Sequence, residues 1–460
     1  MLEGLKKIHF VGIGGAGMSA IATVLLAMNY QISGSDINQS ETTRKLEQMG
    51  AKVFIGHRSE NIRDVEAIVV SSAIPESNPE IRAAREQGLK IFHRADIVAA
   101  LMAEREGIAI AGAHGKTTTT SMIALVLEKA GLDPTVLIGG ELEYIGGNAK
   151  YGKGRYLVAE ADESDGSFLK LTPRLAVVTN IENDHMDFYE TMENILFTFK
   201  EFLYKIHPKD GLAVLCFDNS YIRNIAASLD RPYISYAINH DAEFTARNIR
   251  VHGPAIIYDA YRHNELLGTI RLNVPGRHNV ANSLAALAVG LHVGLTFSQV
   301  ADGLASFLGA KRRFQTKGRV NGIWVVDDYA HHPTEITTTL LAAREMRPKR
   351  LICVFQPHRY SRTKFLRSEF GRAFEPADIL VLTDIYPAGE KPIPGITGEV
   401  IKEEVERQTN RLVTYIPDRN NIARYLAEIA EPGDLIITMG AGNIYQAGEE
   451  LVEKLNAVNI

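Results

Sequence analysis

The stretch from residue 108 to residue 127 limits the fold more than any other. The apolar run 108–111 reads as a buried strand. Gly112-Ala113-His114-Gly115-Lys116-Thr117-Thr118 follows it, and the apolar run 122–127 reads as a helix. A strand, a glycine turn ending in Lys-Thr, and a helix form the geometry that cradles phosphate. Backbone N–H groups face the anion, and the helix N-terminus adds partial positive charge. Such a unit belongs in a parallel sheet with helices on its faces. The turn is shorter than the usual phosphate loop, because Ile110 stands where the first glycine would be. Lys116 would neutralise the β- and γ-phosphates of ATP, and the Thr117 hydroxyl would reach Mg²⁺, or Mn²⁺ in its place. The competing reading is a helix-capping turn with a solvated lysine.

A second glycine turn opens the chain. Gly12, Gly14, Gly15, Ala16 and Gly17 lie between the strand-like run 8–13 and the apolar helix 18–28, and Asp36 ends the next strand. This is the fingerprint of a diphosphate attached to a ribose, with Asp36 positioned to accept from the ribose. It does not separate NAD from a nucleotide sugar. Four glycines in six residues also rule out a signal-peptide helix over this stretch.

Two strand ends supply what a phosphate loop needs. Glu160-Ala161-Asp162-Glu163-Ser164-Asp165 follows the run 156–159, and Glu160, first after the strand, is the expected metal ligand. His185, in the polar turn after 175–179, would hold a second metal or the transferred phosphate. Asn279 and Asn282 open an apolar helix after Gly276 and, three apart, share a face suited to an adenine edge. Asn279 reads equally as a helix cap. In the last third, Asp327-Asp328-Tyr329-Ala330-His331-His332 and Gln356-Pro357-His358-Arg359-Tyr360-Ser361-Arg362 each end a strand, so both turns face one crevice. Arg359 and Arg362 suit a carboxylate or a phosphate. Arg312 and Arg313 read as hinge or phosphate contacts.

Composition narrows the classes. The 460 residues suggest three domains, drawn at 1–104, 105–315 and 316–460, with a linker over 104–107 and a small antiparallel patch over 242–274. A net charge of −5 leaves no footprint for nucleic acid. Two scattered cysteines, Cys216 and Cys353, exclude a disulfide framework and fit a reducing cytoplasm. No run is long and apolar enough to span a bilayer. A monomer or weak homodimer is expected.

Taken together, the short phosphate loop, the Glu160 and His185 segments, the Gly276-Arg277-His278-Asn279 helix start and the Asp328-Tyr329-Ala330-His331-His332-Pro333 turn resemble the Mur ligases over essentially the whole chain. The resemblance extends to Ser71-Ser72-Ala73-Ile74-Pro75 and the Gln356 to Thr363 turn, which point to the branch that joins L-alanine to UDP-N-acetylmuramate. It implies an α/β chain of three domains: a Rossmann-like UDP-binding domain, a central phosphate-loop ATPase with a mostly parallel sheet, and a Rossmann-like C-terminal domain. Gly14 to Gly17 and Ser71 to Ala73, with His93 and Arg94, would hold the UDP-sugar. Lys116, Thr117, Glu160 and His185 would serve MgATP, with Asn279 and Asn282 at the adenine and Asp328 at the ribose. His331 would lie at the phosphates, and Tyr329, His358 and Arg362 would position L-alanine. Lys200 stands near the place where several sister ligases carry a carbamylated lysine, a modification not expected in this branch. The alternatives are a ligase joining a recycled peptide to the same nucleotide sugar and an NAD-dependent oxidoreductase. The second leaves residues 112–118 unexplained.

Overall fold

The computed structural model describes residue 2 and residues 4–457. Three sheets follow one another along the chain. In the first, Lys7–Val11 lies at the centre, with Gln31–Asp36 and Lys52–Ile55 on one side and Ala67–Val70 and Lys90–His93 on the other. All its pairings are parallel. The order therefore reverses at Lys7–Val11, which places the glycine turn in the crevice where open α/β sheets bind ligands.

The second sheet has ten strands. Its strand Glu106–Ala111 sits between Tyr156–Glu160 and Leu175–Val178, both parallel to it. Ile108, Ala109, Ile110 and Ala111 are fully or almost fully buried, as a strand covered on both faces requires. The Glu160 segment, the phosphate loop and the Thr179 turn thus leave the sheet side by side. The third sheet is parallel except for its edge strand Gln315–Val320, which pairs antiparallel with Ile323–Asp328. By backbone contacts the chain separates into two compact units. One is Met1–Asn248, Tyr258–Ile270 and Ala281–Phe307, and the other is Ile249–Ile257, Arg271–Val280 and Leu308–Ile460.

Several expectations need correction. The helix after the phosphate loop runs Lys116–Lys129, six residues earlier than the apolar run suggests. Thr117 to Thr120 are β-branched and poor helix formers, yet Thr118, Thr119 and Thr120 are buried, so packing overrides propensity. The stretch read as a linker is only partly one, because Glu106 and Gly107 already belong to a strand. Asp327 and Asp328 are the last two residues of a strand, not its following turn. The patch near 242–274 holds the strands Phe244–His252, Ala255–Arg262 and Glu265–Leu272. Among the described residues, no helix is long and apolar enough to cross a membrane.

Candidate active site

The phosphate loop is shaped by backbone that only glycine tolerates. Gly112 has φ +137° and Gly115 has φ +81°. A Cβ on Gly112 would lie 2.1 Å from Thr179 Oγ1, and one on Gly115 would lie 2.8 Å from Asn282 Oδ1. The loop is braced from the neighbouring strand end. The His114 carbonyl accepts from Thr179 Oγ1 at 2.6 Å and from Asn180 Nδ2 at 2.9 Å, while the His114 N–H donates to Asn180 Oδ1 at 2.8 Å. His114 Nε2 also lies 3.3 Å from Glu182 Oε2. Thr179 and Asn180 were not among the sequence candidates. Their signal is their position at the end of the adjacent parallel strand.

Lys116 folds back over the loop. Its Nζ donates to the Gly112 and Ala113 carbonyls and to Glu163 Oε1 at 2.7 Å. Burial disfavours the Lys116 charge, but Glu163 and Asp162 more than offset this and raise its pKa. Burial pushes the Glu163 carboxyl up. Its second oxygen is buried without a hydrogen-bond partner among the described residues, a cost that an incoming donor or cation would remove. His185 Nε2 lies 3.7 Å from Glu163 Oε1 and 3.5 Å from Asp184 Oδ2. Glu163 is therefore the direct partner of the loop lysine.

The residues also fit a hard divalent cation. Glu160 Oε1 accepts from the Gly139 N–H at 2.7 Å. A Cβ on Gly139 would sit 2.8 Å from Glu160 Oε2, and one on Gly140 would sit 2.9 Å from Thr117 Cγ2. These two glycines leave room for both proposed ligands. An oxygen-rich set with one imidazole suits Mg²⁺ or Mn²⁺.

The Glu160 segment also reaches the first sheet. Arg94 donates to Asp162 Oδ2 at 2.6 Å and lies 3.7 Å from Asp165 Oδ2. Ser72 donates to Asp165 and lies 3.1 Å from His93 Nε2. Burial pushes the Asp162 carboxyl up, but Arg94 and Lys116 hold it well below the usual range. Ser72, His93 and Arg94 thus meet at one place. Gly17 joins them, since a Cβ there would lie 3.4 Å from Arg94 Nη1. Asp36 commits one oxygen to the Gly14 N–H, at 2.9 Å. The Ser35 carbonyl behind it accepts from Gly12 and Ile13, at 2.8 and 2.9 Å. The Ser35 hydroxyl donates to Glu80 Oε2 at 2.7 Å.

In the C-terminal unit the candidates also cluster. The His331 ring contacts Tyr329 and His358 edge-on, with centroids 5.5 and 5.7 Å away. Arg362 Nη1 lies 3.2 Å from His358 Nδ1. Burial pushes His331 down to about 3 and His358 down to about 4, so both rings are neutral at pH 7. Asp328 accepts from the Phe314 and Ala330 N–H groups, each at 2.8 Å, and burial pushes its carboxyl up to about 6. Asn279 is buried and donates to the Pro275 carbonyl at 2.7 Å. Arg312 donates to Asp327 Oδ2 at 2.9 Å and to the Gly440 and Gly442 carbonyls. Its guanidinium is committed to structure inside this unit. Lys200 donates to Ser228 Oγ at 3.2 Å.

This chain belongs to the Mur ligase family. Family models match it in order: "Mur ligase family, catalytic domain" over residues 7–106, "Mur ligase middle domain" over 110–290, and "Mur ligase, glutamate ligase domain" over 312–442. Within that family it is 53% identical to the UDP-N-acetylmuramate–L-alanine ligase of Pelotomaculum thermopropionicum, covering 98% of both chains. It is 52% identical to the enzyme of that name from Geotalea daltonii, again over 98% of each. Among solved structures, UDP-N-acetylmuramate-alanine ligase from Thermotoga maritima matches with a TM-score of 0.84 at 27% identity, over 98% of this chain and 99% of that one. A murein peptide ligase from Psychrobacter arcticus matches with a TM-score of 0.73 at 26% identity, over 98% of this chain and 99% of that one.

Proposed function

We propose that this chain joins L-alanine to the lactyl carboxylate of UDP-N-acetylmuramate at the expense of ATP, as a step in peptidoglycan precursor synthesis in the cytoplasm. A carboxylate does not accept an amine at neutral pH, because its leaving group is too poor. Transfer of the γ-phosphoryl group to the lactyl oxygen gives an acyl phosphate and releases ADP. The neutral amine of alanine then attacks the acyl carbon, the C–O bond to phosphate breaks, and the nitrogen loses a proton. The products are UDP-N-acetylmuramoyl-L-alanine, ADP and phosphate.

The observation that carries this reading is the half-buried Lys116, held by Glu163 inside a loop braced for phosphate. In-line transfer gathers negative oxygens, so positioning and electrostatics carry the catalysis. Lys116 leaves Glu163 for the β- and γ-phosphates. Thr117, Glu160 and His185 hold Mg²⁺ or Mn²⁺, which when bound offsets phosphate charge. The remaining loop residues, Gly112 to Gly115 and Thr118, wrap the phosphates. Asn279 and Asn282 read the adenine, and Asp328 meets the ribose. Residues 1–104 hold the UDP-sugar through Gly14 to Gly17, Asp36, Ser71 to Ala73, His93 and Arg94. Residues 105–315 hold ATP, and residues 316–460 bring the amino acid. There, Tyr329, His358 and Arg362 position alanine, while His331 and Arg359 face the phosphates and the amino-acid carboxylate. The chain works as a monomer or weak homodimer.

The test is phosphate release from ATP with UDP-N-acetylmuramate, with and without L-alanine. Release that depends on both acceptor and L-alanine, with a product heavier by one alanine residue, is expected. Equal release without L-alanine, or turnover only with a peptide in its place, would overturn the reading.

A further inference from the structure

Arg359 follows the strand Arg350–Phe355 with φ +70° and ψ 140°, a backbone conformation that residues other than glycine rarely adopt and that persists only where the surroundings impose it. The segment 386–390 imposes it. The Arg359 N–H donates to the Tyr386 carbonyl at 2.9 Å. Two residues on, Ser361 gives both its N–H and its hydroxyl to Glu390, at 3.0 and 2.5 Å. The Tyr386 N–H in turn donates to the Pro357 carbonyl at 2.8 Å. The Tyr386 ring lies flat against the His358 ring, with centroids 5.8 Å apart and planes 9° from parallel. Gly442 packs closely against the same side chain, since a Cβ there would come within 2.6 Å of Tyr386 Cγ. The result is an Arg359 guanidinium whose Nε is buried with no hydrogen-bond partner among the described residues, beside an imidazole stacked parallel to Tyr386. A donor kept unsatisfied by a costly backbone shape is poised for a ligand oxygen.

We propose that Tyr386 and Glu390 are positioning residues for the amino-acid subsite. Glu390 clamps the Ser361 turn so that Arg359 keeps its conformation, and Tyr386 fixes both the Arg359 amide and the His358 ring. This rests on the reading above, in which Arg359, His358 and Arg362 receive the amino acid. Glu390 acts as a hydrogen-bond acceptor for Ser361, not as a charge for the substrate ammonium. An amide at position 390 keeps one oxygen for the Ser361 N–H and can donate to the Ser361 hydroxyl, so it holds both arms without charge, whereas a methyl group holds neither.

The experiment is steady-state phosphate release by the full-length chain and its E390A, E390Q and S361A variants, each substrate varied in turn, with thermal midpoints recorded. The expected result is a rise of about tenfold or more in KM for L-alanine in E390A, the loss expected when an aligned contact is released. KM for ATP and for UDP-N-acetylmuramate stays within about twofold, and E390Q returns the alanine KM close to wild type. S361A removes only the hydroxyl arm and gives a smaller rise in the same parameter. It decides the matter if E390A does not fold. An unchanged alanine KM in E390A or S361A, or equal rises for all three substrates, would overturn the proposal. Failure of E390Q to restore the alanine KM would also overturn it, because the charge and not the acceptor would then matter. If the wild-type chain does not consume L-alanine at all, the reading of the reaction falls and this proposal falls with it. A normal wild type with an indifferent E390A removes only the proposal.

Discussion

Replacing Glu80 by glutamine tests how the glycine turn of the first sheet is held. Glu80 is fully buried. Its carboxylate accepts from Ser35 Oγ at 2.7 Å and Asn61 Nδ2 at 2.6 Å, meets His57 Nδ1 at 2.9 Å, and faces His9 Nε2 at 3.6 Å. Burial alone would push the carboxyl up, but His9, Ser35 and Asn61 outweigh it and hold it down to about 2, from an ordinary 4.5. A difference of about 2.5 pH units, at about 1.4 kcal/mol each, makes the ionised form worth about 3.5 kcal/mol of folding free energy. The folded pKa is the lower one. This stabilisation is therefore complete above pH 4.5 and is lost as the pH falls toward 2. Glutamine keeps the shape and one acceptor but cannot ionise. Urea unfolding of wild type and E80Q should differ by up to about 3.5 kcal/mol at pH 7, and the gap should shrink below pH 4.5 and close only near pH 2. Hydrogen exchange of the strand Gln31–Asp36 locates the loss, because Ser35 links Glu80 to the Gly12 and Ile13 amides. The same slackening should weaken nucleotide-sugar binding. A stability gap of equal size at pH 7 and pH 3 would refute the reasoning, since no protonation would then be linked to the Glu80 contacts.

Lys116→Ala should lower turnover by about 3–4 kcal/mol, roughly 10²–10³-fold, while the chain stays folded; unchanged turnover would remove Lys116 from the phosphate site. Gly112→Ala, with its Cβ directed to within 2.1 Å of Thr179 Oγ1, should abolish nucleotide binding in a fluorescent-nucleotide titration, and retained affinity would show that the loop yields. Arg94→Ala should raise KM for UDP-N-acetylmuramate with a smaller change in KM for ATP, because Arg94 ties Asp162 and Asp165 to the first sheet; a selective loss of ATP binding would contradict its assignment to the nucleotide sugar. Removing divalent ions with a chelator should stop phosphate release, and Mg²⁺ or Mn²⁺ should restore it; turnover that survives chelation would strike out Thr117, Glu160 and His185 as ligands.

What the sequence made legible was local. The strand-loop-helix at 108–127 and the glycine turn at 12–17 each place their signal within a few residues, and both stand at strand ends in the structure. The start of the helix after the phosphate loop was hidden because Thr117 to Thr120 look like strand residues. Their burial, which only the packed sheet supplies, decides the matter. Glu163 was visible as one of four carboxylates, but nothing local says that it and not Glu160 turns toward Lys116. The Glu80 cluster was unreadable for a stronger reason. His9, Ser35, His57, Asn61 and Glu80 come from separate segments, and Pro79-Glu80 alone reads as the first turn of a surface helix. The strain at Arg359 has no sequence signature, since arginine is not a residue expected at positive φ.

The acidic turn at 160–165 has a consequence for how such a chain can change over generations. Within six residues, Glu160 accepts from Gly139, Glu163 holds Lys116, and Asp162 and Asp165 hold Arg94 and Ser72. A chimera that exchanges residues 1–104 with those of a distant relative would bring a foreign partner to Asp162 and Asp165 while leaving the loop intact. Its defect would be cured by co-transferring those two aspartates, not by restoring the rest of the acidic turn. The junction between the first two sheets is therefore heritable as a pair of segments, one in each.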